Sequence, residues 1–433
     1  MNFIKKLFLY TLSGLFIPLS IQAAHLKANV AVVKLTPPLE IGYTLGGYGA
    51  RMSKPAEGVH DDIRAKALVL QDGKKKYAII TIDILGLPPN VKPQVIEKLN
   101  NPSWKAENLL FLPSHAHTSL EMFALNDKNL FNMAAIGIFQ QQLLDYVVIK
   151  LAEVINQADQ GLIPVNIATL RKQVEGLNRN RRKQSFVDKD LTVTRIDKAD
   201  GKPLAVLVNW TGHPTIMDEH DMLVSGGWPG YLQRELEGWI GNDVVAMYYN
   251  GAEGDQSVIA HGESGSHYEK AERYGRTMAV HTYSLYRQIR PKKELLFEYN
   301  YTSIDLPERT AHPDFMSTGG KEYGLDEEKI MILLHQVFPT QTTITALRVG
   351  DLLITGAPGE LTAELGIEVK NILRKEGVNC PVIGGLANQW ISYILSEPEY
   401  EKGGYEASVS FYGKDLGKTV VKGMIETAMP LTE

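Results

Sequence analysis

Three apolar runs between residues 65 and 112 limit what this chain can fold into more than any other feature. Residues 65–70, 77–82 and 109–112 are short, rich in Leu, Ile, Val and Ala, and largely apolar on both faces of an extended chain. Strands of this kind must be covered on both sides, which places them inside a layered sheet. Gln71-Asp72-Gly73 turns the first run back into the second, so these two form a hairpin that ends at Asp83. A second hairpin, residues 191–197 and 204–210 around Asp200-Gly201, delivers the chain to His213. Leu143, Leu144, Val147, Val148, Leu151, Val154 and Ile155 recur at helical spacing and predict a long amphipathic helix. Further helices are expected over 91–99, 268–289, from Glu360 to about 374, and 416–427. Strands and helices interleave throughout, so the fold class is α/β: layered mixed β-sheets flanked by helices, in one unit rather than separable domains.

The first residues lie outside that domain. Lys5 and Lys6 precede an apolar run over residues 7–21, followed by Ala23-Ala24. This reads as a cleaved export signal over residues 1–24, leaving 25–433 as the folded unit and placing the protein in the periplasm or outside the cell. The run falls short of the roughly 20 residues that span a bilayer, although an uncleaved anchor is the alternative. No later stretch is long enough to span, so membrane contact is expected to be peripheral at most. Cys380 is the single cysteine, which excludes an intrachain disulfide. The net charge of −5 and the lack of a basic run argue against a nucleic-acid partner.

Polar residues cluster after the apolar runs. Ser114-His115-Ala116-His117 follows 109–112, and on an extended segment the two histidines face one way. Imidazole is the commonest metal ligand and titrates nearest neutral pH, yet such a pair is equally read as structural or surface histidines. His213 follows the second hairpin, Asp255 and Ser257 follow residues 244–250, and Glu360 follows 351–356. Each sits in a loop of small residues, where a buried imidazole or carboxylate is costly unless paired or metal-bound; the repetition favours one shared site. Gly42, Gly46, Gly47 and Gly49 lack the ending of a phosphate loop and read as turns that bring backbone close to a site. Residues 308–325, polar and turn-rich, read as a surface excursion or lid. Arg181 and Arg182 read as a solvated face.

Seven segments in order resemble the neutral (non-lysosomal) ceramidases. They are residues 58–67, Ser114 to Ser119, Leu177 to Arg181, Asn209 to Thr215, Asn250 to Ser257, Pro358-Gly359-Glu360, and 385–408. The resemblance implies a zinc hydrolase, with one Zn2+ per chain, that cleaves the N-acyl bond of ceramide by a metal-activated water; its partner is a lipid-like small molecule. Carried over by position, the metal ligands are His115, His213, Glu360 and Tyr393. His117 would donate a proton to the leaving amine or orient it, and Tyr405 and Arg179 would stabilise the oxyanion or bind polar groups of the substrate. Ser257 matches a serine sometimes assigned as nucleophile, and a metal-activated water makes that role unnecessary; both readings stand. The chain departs from the family pattern at Thr118-Ser119-Leu120, at Gly227 and at Val258-Ile259. It also ends where the family's catalytic domain ends, so no C-terminal β-sandwich domain is expected. These departures leave room for another N-acyl or ester substrate, or for a non-catalytic lipid- or glycan-binding homologue.

Overall fold

The computed structural model describes residues 26–129, 131–241, 243–262, 264–293 and 295–433. The export-signal reading of residues 1–24 falls outside the described residues. The larger sheet has eight strands: β1 (Lys27–Lys34), β2 (Arg64–Asp72), β3 (Lys75–Ile82), β4 (Leu109–Pro113), β5 (Ile163–Gln173), β6 (Asp190–Lys198), β7 (Pro203–Trp210) and β8 (Val245–Asn250). Their order is β8-β7-β6-β5-β1-β2-β3-β4. A second sheet aligns β9 (Phe297–Asp305), β10 (Gln341–Val349), β11 (Leu352–Gly356) and β12 (Cys380–Gly384) in sequence order. The edge pairs β3/β4, β7/β8 and β11/β12 are parallel, and the rest are antiparallel. Both expected hairpins form, with Ala65 opposite Ile82 and Thr192 opposite Asn209.

Period-two alternation sorts each strand between two cores. Leu68 and Leu70 meet Leu347 and Ile354 of the smaller sheet, so the two sheets pack face to face. Ala67 and Val69 turn outward and are covered by Leu144, Val147 and Leu151 of the helix Gln141–Ala158. Near β7 and β8, Trp228 and Leu232 of the helix Gly227–Ile240 take that place, together with Met278 of the helix His267–Tyr286. Val369 of the helix Ala363–Lys375 and Val420 of the helix Leu416–Ala428 cover the far side of the smaller sheet. The layers therefore run helix, sheet, sheet, helix.

The strand order puts β4 and β8 at opposite edges of the larger sheet. Yet the Asn250 side chain, at the end of β8, donates to the Ser114 carbonyl just past β4 at 3.4 Å. The sheet curls far enough to bring its two parallel edges together, which gathers their carboxyl ends at one place.

A buried ion network ties helix to sheet. Lys370 Nζ donates to Asp188 at 2.5 Å and to Asp190 at 3.0 Å, and Arg374 also binds Asp190. Replacing Lys370 by Met leaves the buried Asp188 without its cation while Asp190 keeps Arg374, a change expected to cost about 3–5 kcal/mol. The half-exposed pair Lys329–Asp326 should lose less than about 1 kcal/mol on the same treatment. Urea unfolding midpoints of the two variants check the contrast.

Candidate active site

Three residues of the site arrive from the carboxyl ends of strands. His115 follows β4, His213 follows β7, and Glu253 follows β8. Past β11, the two-residue strand Glu360–Leu361 runs parallel to Tyr393–Ile394, with Glu360 directly opposite Tyr393. Paired residues in a ladder project to the same face, so the carboxylate and the phenol point together. His115 and Glu360 are each 3% exposed, His213 1% and Tyr393 5%, so the cluster is buried.

The hydrogen bonds decide where the histidine lone pairs point. His115 Nδ1 lies 2.6 Å from the Leu85 carbonyl, and His213 Nδ1 lies 3.3 Å from the Glu253 carbonyl. A carbonyl only accepts, so both Nδ1 atoms carry the proton and both Nε2 atoms present lone pairs. These two Nε2 atoms face each other at 3.1 Å. Burial, with Arg181 and the neighbouring histidines, holds His213 well below its usual pKa, so its own Nε2 stays unprotonated. Glu360 Oε2 lies 3.4 Å from His115 Nε2 and 3.6 Å from His213 Nε2, and it has no hydrogen-bond partner. Its other oxygen accepts from the Trp390 indole at 2.8 Å. Ligand atoms about 2.0–2.1 Å from a tetrahedral zinc stand roughly 3.3 Å from each other, so these three atoms fit such an ion. Tyr393, directly opposite Glu360 in the ladder, stands as a fourth candidate ligand. His115 also holds a left-handed backbone, φ 67°, which costs on the order of 1–3 kcal/mol and aims the ring inward.

His117 stands beside this centre, its ring 4.8 Å from His115 and 5.2 Å from His213. Among the described residues both of its ring nitrogens lack a partner, and burial keeps it neutral. The backbone nearby was built to make room for it: Gly47 has φ 92°, and a β-carbon there would lie 2.2 Å from His117 Nδ1. Arg51, itself buried, donates to the His117 carbonyl and to three others and closes the loops around it. Tyr405 stacks edge-on against Tyr393 at 6.0 Å, and its hydroxyl lies 3.3 Å from that of Tyr323.

Ser257 and Arg179 occupy one cross-strand row with His213. Ser257 bridges His213 on one side and pairs Arg179 on the other, so the three share a face. Exposure increases along the row from the buried imidazole to the exposed guanidinium. Arg179 therefore belongs to the rim, and a second arginine reaches the centre. Arg181 Nη2 donates to the Tyr393 hydroxyl at 3.0 Å and to the Gly254 carbonyl at 2.8 Å, while its Nε donates to Glu406 at 2.6 Å. Arg182 joins Glu406 to Glu399. The solvated-face reading of Arg181 and Arg182 is thus corrected: their carboxylate partners lie more than 200 residues away, where no local pattern reveals them. Asp255 turns aside as well, binding Asn180 and capping Ala363 N at the start of its helix.

An apolar pocket of about 740 Å³, mouth included, opens beside these groups. Leu85, Met122, Phe123, Ile136 and Trp390 form one wall. Phe315, Tyr323, Leu325, Leu333 and Phe338 form another, so the segment read as a surface excursion or lid is a wall of the pocket, built around the helix Glu327–Val337. Among the described residues no helix is long and apolar enough to cross a membrane.

Glu121 lies in this wall. Burial pushes its carboxyl up to about 7, against the backbone N–H groups of Phe123 and Gly47 and the charge of Arg51. The folded-state pKa exceeds the unfolded one, so its contribution to stability is fully present below about pH 4.5 and is lost as pH rises through about 7. Glu121→Gln is expected to remove this dependence. Relative to wild type it should gain up to about 3 kcal/mol between pH 4.5 and about pH 8, read from urea midpoints across the range. A difference that stays flat with pH refutes the assignment.

Known proteins agree with this architecture. The neutral ceramidase of Pseudomonas aeruginosa is 20% identical, covering 89% of this chain and 69% of that protein. Neutral ceramidases A and B of Dictyostelium discoideum are 26% and 24% identical, and the matches span 27% and 34% of their own lengths. The chain thus spans about a third or less of those two relatives. The crystal structure of the Pseudomonas aeruginosa enzyme superposes with a TM-score of 0.81 at 18% identity, covering 94% of this chain and 75% of that one. The family description "neutral/alkaline non-lysosomal ceramidase, N-terminal" matches residues 35–272 and 321–421. Those segments make up more than three quarters of the sequence and hold all four candidate ligands, and on that match the chain belongs to the neutral/alkaline non-lysosomal ceramidase family.

Proposed function

We propose that this protein is an exported, zinc-dependent amide hydrolase that cleaves the N-acyl bond of ceramide or a related lipid amide. The observation that carries the reading is the convergence of two imidazole lone pairs and an unpartnered carboxylate oxygen within 3.1–3.6 Å of each other beside an apolar pocket. His115, His213, Glu360 and Tyr393 would hold the metal, which when bound supplies Lewis acidity and lowers the pKa of coordinated water. The chain's own groups account for the rest. The apolar walls seat an alkyl chain and exclude bulk water from the scissile amide. His117, neutral and with free ring nitrogens, takes up a proton and delivers it to the leaving amine. Tyr405 binds a polar group of the substrate close to Tyr393, and Arg179 and Ser257 contact it at the rim. A metal-activated water makes a serine nucleophile unnecessary, which leaves Ser257 a binding role.

The test is zinc content of the purified protein together with hydrolysis of a fluorescent acyl-ceramide, an N-acyl amino acid and an acyl ester. One zinc per chain and preference for ceramide supports the proposal. Zinc with cleavage of another substrate moves the reading to a different N-acyl or ester hydrolase. No metal after reconstitution ends it.

A further inference from the structure

The apolar pocket ends on aromatic side chains. Trp390 binds Glu360 through its indole N–H, so its ring begins where the candidate metal ligands end. Phe123 stands edge-on to Trp390 at 6.0 Å between centroids, and Phe338 lies tilted at 5.8 Å. Beyond them is a second, smaller space of about 240 Å³, its opening to solvent included, bordered by Pro88, Pro89, Asn126 and Val337. Met122, Phe123, Phe338 and Trp390 border both spaces and form the partition between them. The two phenylalanine rings have no polar anchor, so packing alone holds them there.

We propose that Phe123 and Phe338 set the length of the acyl chain this pocket accepts. The inference rests on the lipid-amide reading given above. An acyl chain carries no polar group beyond its carbonyl, and the path past Trp390 to the two rings offers it only apolar wall. The polar lining groups stand elsewhere: Tyr405 beside Tyr393, and Glu121 against Gly47, which touches His117. That side suits the hydroxyl-bearing amine part of a sphingoid amide. A chain that grows carbon by carbon gains buried area until it meets the rings, and then stops gaining. Truncating either ring joins the two spaces and moves that limit outward.

The experiment measures binding of straight-chain fatty acids of increasing length by calorimetry, which needs no turnover. In wild type, affinity should rise about fourfold per methylene and then level off at one length. In Phe123→Ala and Phe338→Ala the rise should continue for at least two more methylenes, so an acid two methylenes past the wild-type limit binds more than about tenfold tighter than to wild type. Phe123→Leu and Phe338→Leu should move the limit less, in the same direction, and they serve if the alanine variants do not fold. Trp390 is left intact because it holds Glu360. A limit unchanged in folded variants overturns the inference, as does the absence of saturable fatty-acid binding in wild type. A limit that moves as expected in a protein that hydrolyses no ceramide supports the partition while refuting the substrate reading, so the two fail separately.

Discussion

His213→Ala is expected to purify without stoichiometric zinc and to lose at least about a thousandfold in hydrolysis. The expectation follows from what the imidazole supplies. Its Nε2 lone pair lies 3.1 Å from that of His115 and 3.6 Å from the Glu360 carboxylate, so it closes one corner of the three-atom cluster. A Lewis acid contributes several kcal/mol of transition-state stabilisation, and each 1.36 kcal/mol is worth a factor of ten. The variant has a second readout that does not depend on substrate. Zinc binds the folded state alone, so it should raise the melting temperature of wild type and leave that of His213→Ala unmoved. Equal zinc content in the two proteins, or activity within tenfold, would show that the metal sits elsewhere.

Arg181→Met should weaken zinc binding about 10- to 100-fold and cost about 3 kcal/mol of stability. The guanidinium touches no atom of the three-ligand cluster; it donates to Tyr393 at 3.0 Å and anchors that hydroxyl to Glu406 and the Gly254 carbonyl. Without it the phenol loses its orienting donor, and Glu406 keeps only Arg182. Arg181→Lys should recover part of the stability through the charge and little of the metal affinity, because an ammonium cannot reach three acceptors held in a fork. Competition with a chelator gives the affinity, and urea unfolding gives the stability. Wild-type zinc affinity in Arg181→Met would make Arg181 a structural residue only.

The layered α/β architecture, both hairpins and the long amphipathic helix were legible from periodicity, because strand and helix repeats are local and burial acts on them locally. The four candidate ligands were legible for a different reason. His115, His213 and Glu360 each follow an apolar run in a loop of small residues, and Tyr393 came with the family resemblance rather than from any pattern of its own. Ser257 was read in a loop and Arg179 came with the family resemblance; the structure puts them on two short paired strands, Asn178–Asn180 and Gln256–Val258, and their position at the rim follows from that ladder between segments about 80 residues apart.

What the sequence by itself determined was the set of strand ends and the residue types they carry. The tertiary structure alone decided which of them meet. Curling of the larger sheet joins two edges that strand order holds apart, the left-handed backbone of His115 turns its ring inward, and Gly47 leaves space for His117. The burial of Arg181 and Arg182 depends on carboxylates supplied from the far end of the chain, and the conversion of a polar, turn-rich stretch into a pocket wall depends on Phe315 and Leu325 finding the core. Such contacts have no sequence signature, since desolvation and charge pairing are set by neighbours in space rather than along the chain.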